Sequence, residues 1–128
     1  MNKDERQAKL VEIINKKKKV SVNELAEIFK VSAVTIRKDL TNLDEAGLIV
    51  RTHNYAELAD DDSISRRLSF HFKEKTEIAN KAVDLVADGE TIMVESGSCC
   101  AIFARKLAEA GKNITIITNS IFIADYIR

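Results

Sequence analysis

The chain has 128 residues, with 20 Lys+Arg against 20 Asp+Glu, no Pro, no Trp, two Cys and a 45% hydrophobic fraction. That composition excludes collagen-like, disulfide-stapled and compositionally disordered chains. No stretch approaches the ~18 consecutive apolar residues of a membrane span, and the charged start Met1-Asn2-Lys3-Asp4-Glu5-Arg6 lacks the apolar core of a signal peptide. The neutral total conceals an asymmetry: residues 1–56 carry eleven basic and eight acidic side chains (net +3), residues 57–128 nine and twelve (net −3). A basic front half suits contact with a polyanion. The adjacent Cys99 and Cys100 cannot staple a fold, so reduced thiols and a cytoplasmic setting are expected.

Residues 3–17 repeat apolar side chains at helical spacing, with Leu10, Val11, Ile13 and Ile14 on one face. The run Lys16-Lys17-Lys18-Lys19 reads either as a solvated helix end, its cations at the negative end of the dipole, or as phosphate contacts. Val20-Ser21-Val22 is a short β-type tripeptide. Ser21-Val22-Asn23-Glu24 has the form of a capping box, opening a short helix that turns Val22, Leu25, Ala26 and Phe29 inward. After a turn at Lys30 to Ala33, Ser32 is the expected N-cap of a third helix over about 33–46. Its buried stripe is Ile36, Leu40 and Leu43. The opposite face carries Val34, Thr35, Lys38, Thr41 and Asn42, with Arg37 at its edge. Gly47 stands where a helix must end on positive φ. Two β-like runs, 48–51 and 56–58, flank Thr52-His53-Asn54-Tyr55 as a hairpin.

Three short helices followed by a hairpin make a winged helix-turn-helix, whose third helix fits the major groove of DNA. Thr35, Arg37, Lys38, Thr41 and Asn42 are donors suited to phosphates and base edges. The segment Val20 to Arg51 resembles the helix-turn-helix of the DeoR family of bacterial transcription regulators. The resemblance is carried most specifically by Val31-Ser32, Thr35-Ile36-Arg37-Lys38-Asp39-Leu40, Leu43 and Gly47-Leu48. It implies that Ser32, Thr35, Arg37 and Lys38 face DNA, that Asp39 is structural or orients a neighbouring Arg, and that Arg51 and His53 lie in the wing. The family has His-Gly-Gly-Ala at the wing tip. This chain has His53-Asn54-Tyr55-Ala56, without the glycines that make a positive-φ turn cheap.

Residues 57–72 show no clear period and read as a polar linker. The run Asp60-Asp61-Asp62-Ser63 lacks the spacing of a calcium loop. Lys73 to Ala87 is expected to be helical, with Ile78, Ala82, Leu85 and Val86 as its stripe and Asp88-Gly89 as its end. Thr91 to Val94 is a strand, Glu95 to Cys100 a small-residue turn, Ala101 to Ala110 a helix closed by Gly111, and Asn113 to Thr118 a second strand. That order predicts a right-handed parallel crossover. A Ser96-Gly97-Ser98 loop leading into a helix is a good anion site, although such short spacing also serves plain strand-to-helix turns.

Lys73 to Ala79, Val94 to Cys99 and Ile117 to Ser120 follow the order and spacing of the DeoR-family effector domain, which is similar to sugar-phosphate isomerases. The resemblance implies a phosphorylated sugar at Ser96, Gly97, Ser98, Cys99 and Cys100, facing Thr118, Asn119 and Ser120, with Lys75 as counter-charge. Where the family favours Asp-Ser-Gly-Thr-Thr, this chain has Glu95 and two thiols. Thiols are weak donors, so backbone amides should carry more of the affinity.

The expected fold is α+β: a winged helix-turn-helix over residues 1–58, a linker over 59–73, and over 74–128 the first part of a parallel, Rossmann-like α/β effector domain. Full family members are about twice as long, so the chain is expected to be part of a longer protein or a truncated product, with apolar sheet surface left open. The expected function is a DNA-binding regulator, a repressor of a sugar-metabolism operon. Its expected partners are an operator duplex, a phosphorylated sugar and copies of itself, with no membrane partner, no metal and no other cofactor. The alternatives are an interaction module that dimerises with longer relatives, or an isomerase-like enzyme. The enzyme reading lacks positioned acid–base groups, since His53 and His71 fall in wing and linker and neither Cys has a His nearby in sequence.

Overall fold

The computed structural model describes residues 1–59 and 64–128, in two compact units, 1–72 and 73–128. The reading of Asp60 to Ser63 lies outside the described residues.

In the first unit, α1 (Lys3–Lys17) opens on Asn2, whose side chain accepts from the Glu5 amide while Glu5 reaches back to the Asn2 amide at 3.3 Å. This reciprocal cap answers two free amides at once. Lys18, at positive φ, turns the chain out of the helix and into β1 (Lys19–Ser21). In α2 (Val22–Phe29) the Ser21 hydroxyl accepts from the Glu24 amide at 3.1 Å, but the Glu24 carboxylate pairs with Lys17. The expected capping box is therefore half made, because a nearby cation competes for the carboxylate. Val22 and Leu25 are buried, Ala26 and Phe29 half-buried.

Helix α3 (Ala33–Glu45) buries Ile36, Leu40 and Leu43, as α1 buries Leu10, Val11 and Ile14, and the chain turns at Gly47, φ +73°. Strands β2 (Val50–Arg51) and β3 (Tyr55–Glu57) form the expected hairpin, Val50 opposite Glu57 and Arg51 opposite Ala56. β1 adds a third antiparallel strand on the other side of β3, Val20 opposite Ala56, so the wing is rooted in the core through these two buried residues. The stretch read as featureless linker contains α4 (Ile64–Ser69), with Leu68 and Ser69 buried. Asn15 donates to the Ser69 carbonyl at 3.3 Å. One i,i+4 apolar pair, Ile64 and Leu68, is too little signal to show a period in sequence.

The second unit runs α5 (Phe72–Asp84), β4 (Thr91–Val94), α6 (Ser98–Glu109), β5 (Thr115–Thr118) and α7 (Ile121–Tyr126). The strands are parallel and in register, Val94 opposite Thr118, as βαβ connectivity requires. Several boundaries move, β5 beginning at Thr115 rather than Asn113 among them. α5 ends at Asp84 rather than Ala87, where Lys112 donates to the carbonyls of Val83 at 2.8 Å and Val86 at 2.6 Å. α6 begins at Ser98 rather than Ala101. The buried face of α5 is also displaced: Thr76 and Ala79 are buried, whereas Ile78 and Leu85 are exposed. The expected open sheet surface is present, with Met93 83% and Ile117 52% exposed and directly paired.

Candidate functional site

Helix α3 is held from behind by charge. Asp39 stands on its buried side and receives Arg6 of α1, Nε at 2.5 Å and Nη2 at 3.1 Å, with Gln7 Nε2 at 3.4 Å. The carboxylate is 3% exposed and the guanidinium side chain 19%. The planar fork satisfies both carboxylate oxygens and fixes α3 against α1 in rotation as well as distance. The Asp39 hydrogen bond, opposed by burial, raises the Arg6 pKa, so the guanidinium keeps its charge. Sequence reading gave Asp39 this orienting part by resemblance but did not find Arg6. The available signal was an acid inside an apolar stripe, which needs a cation from another element.

The start of α3 is fixed by Ser32, whose hydroxyl accepts from the Thr35 amide at 3.2 Å and lies 3.0 Å from the Thr35 hydroxyl. Two hydroxyl protons serve one bond between them. Whichever residue donates, the other hydroxyl keeps a proton to offer outward, where a phosphate oxygen would accept it.

Val34, Arg37, Lys38, Thr41, Asn42 and Glu45 line an open groove of about 450 Å³ along α3. Positions 34, 37, 38, 41, 42 and 45 form one ridge of the helix. Lys38 is exposed, while Arg37 and Asn42 are half-buried residues of the groove lining. Thr41 differs from its neighbours: its hydroxyl donates to the Arg37 carbonyl at 2.8 Å and accepts from Arg51 Nη1. Thr41 thereby ties the wing strand to α3 and aims Arg51 along the same side. Glu45 closes the ridge at its C-terminal end, leaving the cationic part in the N-terminal half.

The wing tip closes between Thr52 and Tyr55, whose amides and carbonyls bond each other at 2.9 and 3.4 Å around exposed His53 and Asn54. Neither tip residue takes positive φ. The turn therefore needs no glycine, which resolves the departure at the wing. In the lysine run, Lys16 pairs with Glu12, Lys17 with Glu24 and Lys19 with Glu57, and Lys19 also lies over the Tyr55 ring. These pairs favour a solvated, internally neutralised helix end over phosphate contact.

In the second unit, Gly97 is the N-cap of α6 at φ +141° and no side chain caps the helix. A Cβ on Gly97 would meet no protein atom, so its constraint is the backbone conformation. The first-turn amides face the mouth formed by the C-terminal ends of β4 and β5, a position where open parallel sheets accept ligands. Cys99 and Cys100 are free and half-buried in that first turn. Burial first, then Cys99 and Glu95, pushes the Cys100 thiol up, which disfavours its thiolate. Lys75, expected as a counter-charge, is half-buried, its pKa lowered by burial and partly restored by Cys99 of α6. Ser96 is exposed and Ser98 half-buried. On the neighbouring loop, Thr118 accepts from the Ser120 amide and Ser120 from the Ile123 amide, both at 3.1 Å, while Asn119 is exposed. Thr118 and Ser120 thus shape the turn into α7. Among the described residues there is no group of three His, Cys, Asp or Glu placed to hold a metal, and no helix long and apolar enough to cross a membrane.

Residues 6–62 match the model of the DeoR-like helix-turn-helix domain, and residues 71–128 that of the DeoR C terminal sensor domain. The chain is 33% identical over 125 residues to the transcriptional repressor AccR of Agrobacterium fabrum, a match covering 94% of this chain and 48% of that protein. With a lactose phosphotransferase system repressor of Streptococcus mutans it shares 33% over 128 residues, 93% of this chain and 49% of the relative. With the HTH-type transcriptional regulator GolR of Listeria innocua it shares 32% over 124 residues, 94% and 48%. The chain spans about half the length of these curated relatives. No solved structure matches it.

Proposed function

The chain belongs to the DeoR family of transcription regulators, and from that membership we propose that it is a DNA-binding repressor of a sugar-metabolism operon, responsive to a phosphorylated sugar. The observation that carries the reading is the ridge of α3: Arg37, Lys38 and Asn42 on an open groove, along a helix pinned from behind by Arg6. Ser32 and Thr35 contribute a phosphate-directed hydroxyl, and Arg37 and Asn42 reach base edges. Lys38 and Arg51 contact the sugar-phosphate backbone, with His53 at the wing tip. The domain limits proposed are 1–58 for DNA binding and 74–128 for sensing, joined by 59–73. The protein acts in the cytoplasm as a homo-oligomer on operator DNA, and the named relatives, all regulators, support a regulatory rather than an enzymatic role.

Thr41 acts through Arg51. Thr41→Val and Arg51→Ala are each expected to weaken duplex binding several-fold at every sequence, and the double variant no more than either alone. Mobility-shift titrations of the four proteins read this directly; additive losses would mean that Thr41 contacts DNA itself.

Phosphate is expected at the amides that open α6. In NMR titrations of the chain with inorganic phosphate, the amides of Ser98 to Ala101 should move, and Gly97→Val should abolish the response. A Cβ forces Gly97 out of its positive φ at a cost of about 1–3 kcal/mol and enters the space the anion needs. Equal shifts in both proteins would place the anion elsewhere.

A further inference from the structure

We propose that Val34 is a specificity-determining residue that reads the 5-methyl group of a thymine in the major groove of the operator. The inference rests on the DNA-binding reading above and adds a base preference to it. Val34 is the second residue of α3 and is 64% exposed, while Ile36, Leu40 and Leu43 of the same helix are buried. It is an apolar, β-branched side chain at the head of a ridge that otherwise carries Arg37, Lys38, Thr41, Asn42 and Glu45. Most of its surface is turned to solvent, so the core gives little reason for a valine here.

Its mobility is low. A valine in a helix has one strongly preferred χ1 rotamer, so both methyls are held in place before any partner arrives. The backbone beneath them is fixed by the Ser32 cap, which engages both the amide and the hydroxyl of Thr35. A recognition helix meets base edges with its N-terminal residues. In the major groove the apolar feature that distinguishes one base from the others is the thymine methyl. Arg37 stands three residues further on, a rise of about 4.5 Å, which exceeds one base step of about 3.4 Å.

The test uses the 128-residue chain and a duplex it selects from a randomised pool. Each thymine of that duplex is replaced in turn by deoxyuridine, which removes only the methyl. At one position the replacement should weaken binding about fourfold, the value of one buried methyl-sized group. Val34→Ala should bind the parent duplex about as weakly and be indifferent to that same replacement. Binding within about twofold for every deoxyuridine duplex, or a Val34→Ala protein that keeps full sensitivity, overturns the assignment while leaving DNA binding intact. So does a change of oligomeric state in DNA-free Val34→Ala, which would make Val34 a protein contact. Failure to select any duplex overturns the DNA-binding reading and this assignment together.

Discussion

Arg6→Ala is expected to lower the stability of the N-terminal unit by about 3 kcal/mol, near the lower end of the range for breaking a buried ion pair. The substitution leaves the Asp39 carboxylate, 3% exposed, with only the distant Gln7 amide in place of a bidentate guanidinium. The guanidinium itself keeps about a fifth of its surface in water, which moderates the loss. Asp39→Ala should cost less, because a freed Arg6 on the first turns of α1 can swing its charge into solvent. Replacing both partners by apolar residues of similar volume should recover most of the loss, since no buried charge then remains. In a unit of this size 3 kcal/mol corresponds to a fall in Tm of roughly 12–24 °C. Circular dichroism melts of the two single variants and the double variant measure all three effects. An Arg6→Ala Tm within a few degrees of the parent would mean that the pair is not holding α3.

What the sequence revealed and what it hid divide along physical lines. The winged unit was legible because its signals are local: Ser32 caps the helix that follows it, Ile36, Leu40 and Leu43 repeat at helical spacing, and Gly47 takes the φ of +73° that ends the turn. The Arg6–Asp39 pair was only half legible: Asp39 inside the apolar stripe signals a buried acid, but its partner lies 33 residues away and nothing local marks Arg6. Ser21 capped as expected, but Glu24 was claimed by Lys17, a competitor that only the fold brings near. In the second unit, periodicity gave α5 the right kind of helix and the wrong centre for its stripe. Thr76 and Ala79 are the buried residues of the helix, while the larger Ile78 and, just past its end, Leu85 are exposed. A hydrophobic pattern fixes the width of a buried face better than its middle.

The effector loop shows the same limit. Its small residues were read as one long turn to Cys100, whereas the helix takes over at Ser98 and places both thiols in its first turn. Ser and Cys are poor helix formers in isolation. They are accepted here because Ala101, Ile102, Ala104 and Leu107 bury the rest of the helix. Thr118 and Ser120, expected to face a ligand, each accept one backbone amide in the turn into α7 and keep a hydroxyl proton to donate. Gly97 leaves the first-turn amides of α6 without a side-chain cap.

The α3 ridge makes its sharpest claim through Arg37 and Lys38, adjacent residues given different work. An arginine bidentate to a base edge contributes about 1–3 kcal/mol of discrimination, so Arg37→Ala should lose roughly five- to 150-fold in affinity for a selected duplex and tolerate changes at one base pair. A lysine on phosphate carries no sequence information. Lys38→Ala should therefore weaken all duplexes about equally and flatten the slope of log K against log salt by about one unit. The deciding measurement is a set of fluorescence-anisotropy titrations of selected and scrambled duplexes, over a range of salt, with the parent chain and both variants. The account predicts a steep salt slope for the parent, lost specificity for Arg37→Ala and a shallower slope for Lys38→Ala. Salt-independent binding, or parent-like behaviour of both variants, would contradict the assignment of α3 as the DNA-reading helix.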